Sequence, residues 1–242
     1  MVSRVAALSA EQARLDPEIV GEKTGALSPE LFRRLDESPD AEFYAVPRLV
    51  THIDDGAIAS VTQLYRERLP AGAAVLDLMS SWVSHLPPEV EYRRVVGLGM
   101  NAEELAANPR LHAWVVHDLN VTPRLPFEEG AFDAATLCVS VDYLVRPVDV
   151  LRDLGRVVRP GGALVITFSN RCFPTKVVAA WRMLDDAGHL ALVERYLAAA
   201  GNWAGIAGLA RSPAGGDPLF AVTALSARPA RHGGAGDAGE CP

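Results

Sequence analysis

The chain has 242 residues, of which 49% are hydrophobic and 22% charged, a composition that excludes intrinsic disorder and allows a sizeable core. A formal net charge of -7 argues against a surface that attracts phosphate backbones, so nucleic acid is not the expected partner. Three cysteines, Cys138, Cys172 and Cys241, without a CxxC pair, give neither a disulfide framework nor a zinc knuckle.

No apolar run is long enough to cross a bilayer, and Met1 to Ala10 lacks the charged-then-apolar plan of a signal peptide. A cytoplasmic protein without a membrane partner is therefore expected, its oligomeric state open, a homodimer included. Lys23 and Lys176 are the only lysines, a bias read as codon usage rather than as binding.

Along the chain, Ser28-Pro29-Glu30-Leu31-Phe32 can begin a short helix, with serine as cap and proline at the first position. The mixed aromatic and charged run from Phe43 to Asp55 then leads into a helix predicted from Asp55 to Leu69, with Ile58, Val61, Leu64, Tyr65 and Leu69 at helical spacing. From Ala73 the pattern changes to short β-branched runs alternating with helical stretches, the signature of βαβ units. Strands are predicted at Ala74 to Leu78, Arg94 to Leu98, Ala113 to His117, Phe132 to Val139 and Ala163 to Phe168.

A helix from Val148 to Val158 is expected to end at Arg159-Pro160-Gly161-Gly162. One long helix from Thr175 to about Ala199 follows, and Phe220 to Ser226 alternates as a final strand that closes the sheet with an antiparallel pair. This gives an N-terminal helical extension and lid over 1–72, an α/β core over 73–228, and a glycine-rich disordered tail over 229–242.

The stretch from Ala74 to Ser169 resembles class I S-adenosylmethionine-dependent methyltransferases of the type 11-like group. The resemblance rests on Leu125-Pro126-Phe127 before Phe132-Asp133, and on Val150-Leu151-Arg152 before Arg156-Val157-Val158-Arg159-Pro160-Gly161-Gly162-Ala163-Leu164-Val165-Ile166. It implies a Rossmann-like seven-stranded sheet, mostly parallel with an antiparallel C-terminal strand, helices on both faces and an N-terminal helical cover. It also implies S-adenosyl-L-methionine as cofactor and a small-molecule acceptor.

In that family the first strand ends in an acid and a glycine-rich turn whose backbone lies against the methionine part of the cofactor. Here the matching residues are Asp77-Leu78-Met79-Ser80-Ser81-Trp82, so the acid is present and the glycines, which would allow positive φ and close approach, are not. The resemblance places Met79, Ser80 and Ser81 at the cofactor; either the loop takes another path, with the two serine hydroxyls and amides meeting the cofactor carboxylate, or the pocket has changed occupant. The second strand normally ends in an acid that accepts both ribose hydroxyls. Gly99 stands there, followed by Met100 and Asn101. Asn101 is either its replacement or the N-cap of a helix, with Glu104 at the capping-box spacing.

Asp118 and Leu119 match the acid and apolar residue that hold the adenine amino group and ring. Ser140, Asp142 and Tyr143 follow the fourth strand, at the edge where open α/β sheets bind ligands; Tyr143 is either acceptor floor or packed aromatic. Arg171 either holds an acidic substrate or pairs locally. His52, Asp54 and Asp55 are too weakly spaced for a metal site, and an N-cap explains the acids. Tyr44, Arg48 and His52 are expected to cover the cofactor, and His52, Asp142 or His85 to serve as base for an acceptor that must lose a proton. A non-methylating protein on the same scaffold is the rival reading, since fold does not fix function.

Overall fold

A computed structural model describes residues 27–227; the expected tail over 229–242 lies outside the described residues. Before the sheet come a 3-10 turn Pro29–Phe32, α1 (Asp40–Phe43) and α2 (Asp55–Arg68), and then β1 (Ala74–Leu78), β2 (Arg94–Gly99), α3 (Ala102–Ala107), β3 (Ala113–Val116) and β4 (Phe132–Cys138). After a 3-10 turn at Val141–Tyr143 follow α4 (Pro147–Val157), β5 (Val158–Phe168), α5 (Ala179–Met183), α6 (Asp186–Ala200), β6 (Trp203–Ala210) and β7 (Phe220–Ser226).

The seven strands lie in the order β3-β2-β1-β4-β5-β7-β6. All pairs from β3 to β5 are parallel, and β7 joins β5 and β6 antiparallel. The strand order reverses between β1 and β4, and this is the point where such sheets open a crevice at their carboxyl ends. Alternation along the strands splits the interior in two. Leu76, Leu78, Val96, Leu98, Leu137 and Ile166 pack with α4 and α6 on one face, and Val75, Val95, Ala134 and Val165 pack with Ala57, Val61, Leu64 and Tyr65 of α2 on the other. Although the sequence assigns α2 to the N-terminal extension, it is thus part of the core.

Local chemistry explains most boundaries. Asp54 caps α2, its side chain accepting from Ala57 N–H at 2.9 Å. Pro147 stands in the first turn of α4, where a missing N–H does no harm. The expected single helix from Thr175 to Ala199 is instead two, because Asp185 caps α6 by accepting from Gly188 N–H at 2.8 Å. The Arg159 to Gly162 run is not a separate turn either; it lies inside β5, with Gly161 at φ 80°.

Residues 1–26 of the expected cover lie outside the described residues, and the described part from Leu27 is less helical than the sequence suggests. From Leu27 to Asp54 the chain forms one 3-10 turn and the four residues of α1, and otherwise runs as an irregular strap across the carboxyl edge of the sheet. Among the described residues no helix is long and apolar enough to cross a membrane.

Candidate active site

The crevice at the switch point is a cavity of about 430 Å³ between the strap and the carboxyl ends of β1, β2 and β4, within the size range of small-ligand sites. Among the residues that line it are Tyr44, Arg48, His52, Asp77, Met79, Ser80, Ser81, Gly99, Met100, Asn101, Asp118, Leu119, Ser140 and Tyr143, so the structure brings together every sequence-predicted site residue except Asp142.

The loop after β1 is organised by Asp77. Its buried carboxylate accepts from Ser80 Oγ at 2.6 Å, Ser84 Oγ at 2.7 Å and Thr136 Oγ1 at 3.0 Å. Burial pushes its pKa up and the three hydroxyls oppose this. Met79 adopts φ 55°, a left-handed conformation that favours glycine. Ser80 N–H donates to Leu98 O at 2.8 Å, and this draws the loop against β2. There Gly99 makes room: a Cβ at this position would stand 2.1 Å from the Ser80 carbonyl oxygen.

One expectation for this loop is corrected. The Ser80 hydroxyl donates to Asp77, and the Ser81 hydroxyl donates to Glu104 at 2.5 Å, so both are engaged by the chain's own acids rather than held for a cofactor carboxylate. No helix follows the loop. Residues 79–93 are irregular, and Pro87-Pro88 lies in the middle of this crossover.

Asn101 is a cap and not a ribose acceptor. Its Oδ1 accepts from Glu103 N–H at 2.9 Å and Glu104 N–H at 3.1 Å, while its Nδ2 donates to Tyr44 O at 2.9 Å and Ala45 O at 3.3 Å. The reciprocal half of the capping box is not made. Glu104 turns instead into the cavity wall, where Oε1 accepts from Arg48 N–H at 2.7 Å and Oε2 accepts from Ser81. Sequence reasoning saw Glu104 only as the partner of a cap; the acid's position one turn beyond Gly99 was the available signal.

At the β3 end, Asp118 Oδ1 accepts from Asn120 N–H at 2.9 Å and Val121 N–H at 3.2 Å, which fixes the carboxylate at the cavity edge beside the buried Leu119. Asn120 ties this loop to the strap, donating to Asp40 Oδ2 at 2.7 Å and to Tyr143 O at 3.0 Å. At the β4 end, Ser140 is buried and its Oγ has no hydrogen-bond partner among the described residues.

Asp142 does not line the cavity. It is 4% exposed, its Oδ2 is buried without a hydrogen-bond partner among the described residues, and burial pushes its pKa up to about 8. It sits behind the site as a protonated core acid, and cannot act as a base on a ligand in front. Tyr143 combines its two readings. It lines the cavity and packs in the core, and its hydroxyl accepts from Phe173 N–H at 2.9 Å.

The strap is locked by a buried ionic cluster absent from the sequence reading. Lys176, fully buried, lies 3.2 Å from Asp36 and 3.4 Å from Asp40 and donates to Ser38 O at 2.7 Å. Arg34 Nη1 adds two bonds to Asp40 at 2.7 and 2.9 Å. Beyond this latch, Tyr44 has its pKa raised by burial and by Asp40 and Asp142. His52 and His85 both line the cavity, and burial holds each below the ordinary imidazole range, so both are neutral bases at neutral pH. His85 has φ 52°. Arg171 is mostly exposed and lies 3.7 Å from Asp217, the local pair.

Comparison with known proteins gives the family context. A family described as a methyltransferase domain matches residues 80–166. The ubiquinone/menaquinone biosynthesis C-methyltransferase UbiE of Paracoccus denitrificans is 30% identical over 135 residues, which is 54% of this chain and 48% of that protein. The chain spans about half, or less, of the length of the curated relatives it matches. In fold it resembles the [4+2]-cyclase SpnF, with a TM-score of 0.54 and 17% identity over 77% of this chain and 91% of that one. It also resembles phosphoethanolamine N-methyltransferase 2 of Haemonchus contortus in complex with S-adenosyl-L-methionine, with a TM-score of 0.54 and 14% identity over 84% of this chain and 61% of that one.

Proposed function

Because the chain belongs to the class I S-adenosylmethionine-dependent methyltransferase superfamily, we propose that it binds S-adenosyl-L-methionine and methylates a small molecule. The observation that carries this reading is the slot left open at the switch point despite the side chains of the β1 loop. Met79, Ser80 and Ser81 form its wall and do not fill it, because the loop is drawn against Gly99. The buried Ser140 Oγ without a partner fits a site completed by a polar ligand.

When bound, this cofactor supplies an activated methyl group on a sulfonium, so positioning by the protein carries most of the remaining work. With Oδ1 engaged in the turn, Asp118 keeps Oδ2 for the adenine amino group, and Leu119 offers an apolar face to the ring. Glu104 replaces the absent acid of β2 as acceptor for the ribose hydroxyls. The acids Glu104 and Asp118 at the cavity favour a cationic ligand. His52 and His85, neutral and without a hydrogen bond from either ring among the described residues, can take a proton from an acceptor hydroxyl. Tyr143 and Phe173 form the floor.

Calorimetric titration of the full chain with S-adenosyl-L-methionine and S-adenosylhomocysteine, with mass spectrometry of any nucleoside that co-purifies, tests the reading. Saturable binding of both is expected; no binding at millimolar concentration overturns it. Quinone precursors, the class named by the activity of the Paracoccus relative, are the first acceptors to assay. A second reading, binding without methyl transfer, is favoured by the glycine-free loop and by the likeness to a cyclase. Its mark is a bound cofactor that no acceptor panel converts to S-adenosylhomocysteine.

A further inference from the structure

The amino-acid end of the ligand proposed above carries a carboxylate, and the usual donors for an anion at this place are missing. The β1 loop has no glycines, its Ser80 amide donates to Leu98, and both of its serine hydroxyls donate to acids. The crossover that follows has no helix whose N-terminus could face the ligand. The cavity nevertheless contains one cationic group with an unused buried donor.

That group is Arg48. Its guanidinium carbon lies 4.5 Å from the centre of the Phe43 ring and 5.5 Å from that of Phe173, and Nη2 donates to Phe43 O at 2.9 Å. Its own N–H donates to Glu104, the acid that receives Ser81 of the β1 loop. These contacts hold the guanidinium against the aromatic side of the cavity that the β1 loop also lines, and tie the Arg48 backbone to that loop through Glu104. Nη1 is buried and has no hydrogen-bond partner among the described residues. A buried donor on a cation is costly to leave unmade, and a carboxylate is the group whose geometry matches the guanidinium fork. The other lining arginine, Arg171, is exposed and lies near Asp217.

We propose that Arg48 Nη1 holds the carboxylate of the cofactor's amino-acid end, replacing the loop amides and helix terminus, and so selects the complete cofactor over its thioether nucleoside fragment. This rests on the reading of the cavity as an S-adenosylmethionine site.

The test compares S-adenosylhomocysteine with 5′-methylthioadenosine, which share the nucleoside and differ in the amino-acid end, by calorimetry on the wild type, Arg48→Gln and Arg48→Lys. The wild type is expected to bind S-adenosylhomocysteine at least tenfold more tightly. Arg48→Gln is expected to lose that preference while its affinity for 5′-methylthioadenosine stays within twofold, and Arg48→Lys to keep part of it. Unchanged 5′-methylthioadenosine affinity shows that the strap is intact. If Arg48→Gln retains the preference, or weakens both ligands equally, the proposal is overturned and the cofactor reading stands. If the wild type binds neither, that reading falls and the proposal falls with it.

Discussion

Restoring the superfamily's acid at position 99 is expected to damage this protein rather than repair it. A Cβ on Gly99 lies 2.1 Å from Ser80 O and 3.2 Å from both Ser80 C and Leu105 Cδ2, and the nearest obstacle is backbone, which cannot rotate aside. The loop must retreat from β2, breaking the bond from Ser80 N–H to Leu98 O. Overpacking of a tight interior costs about 1–3 kcal/mol, and a buried hydrogen bond left unmade costs about 1–3 kcal/mol more. At about 2–4 °C per kcal/mol for a chain of this size, Gly99→Asp should lower the melting temperature by roughly 5–15 °C. Thermal unfolding of Gly99→Ala and Gly99→Asp is measured beside Gly215→Ala, whose added Cβ meets nothing within 4 Å and should shift stability by less than about 0.5 kcal/mol. A Gly99→Asp protein that melts like wild type and binds S-adenosylhomocysteine more tightly would refute the reasoning.

Three further outcomes follow from the same geometry. Asp118→Asn keeps Oδ1 for the turn but removes the charge; losing a charge-assisted bond of about 1.5–3 kcal/mol should weaken S-adenosylhomocysteine and 5′-methylthioadenosine alike by about tenfold or more, and calorimetry that finds either unaffected removes Asp118 from the site. Burial pushes the Asp142 carboxyl up to about 8 from the ordinary aspartate value of 3.8, so between these values the folded chain keeps a proton that the unfolded chain has released. Stability linked to this group is then full below about pH 4 and declines as pH rises towards 8; Asp142→Asn should melt higher than wild type at pH 7.5 and equally near pH 4, and a gap independent of pH contradicts this. Lys176→Met removes the ammonium that Asp36 and Asp40 share and leaves Arg34 as the cation on Asp40, so a lower melting temperature and faster amide exchange over 36–44 are expected; exchange unchanged in that segment would show that the latch does not hold the strap.

Much of the sheet was legible because its strands are short β-branched runs bounded by turn residues, and buried parallel strands are made of little else. Strand β6 was not predicted as a separate element, since Trp203-Ala204-Gly205-Ile206-Ala207-Gly208-Leu209-Ala210 has a single β-branched residue, Ile206, among alanines and glycines and no alternation; pairing with β7 makes it a strand. The break between α5 and α6 carried a signal in Asp185, masked by apolar spacing that continues on both sides. At the site, the family pattern located the cavity wall, but the direction of each side chain depends on distant partners. Asp142 turned inward although its neighbours Ser140 and Tyr143 line the cavity. Glu104 turned towards Arg48, 56 residues away in sequence. The single lysine of the strap latch looked like a codon accident because burial cannot be read from residue type alone.

The two departures in the cofactor region are one structural exchange. Side chains in the β1 loop prevent the usual close path, so the loop moves towards β2 and places the Ser80 carbonyl where an acid's side chain would begin; β2 can accept this only with glycine at 99. Glycine has in effect changed places with the bulkier residue. It follows that the positions should couple. Met79→Gly removes the side chain held at φ 55°, whose strain is of order 1–3 kcal/mol, and gives the loop freedom to withdraw. The damage from Gly99→Asp should therefore be smaller in the Met79→Gly background than in wild type, with a coupling of about 0.5–3 kcal/mol, the range for residues that share a backbone shift. Denaturant unfolding of the two single variants and the double variant measures it. Strict additivity would mean that the loop path does not depend on residue 79, and that the missing glycines and the missing acid arose from separate causes.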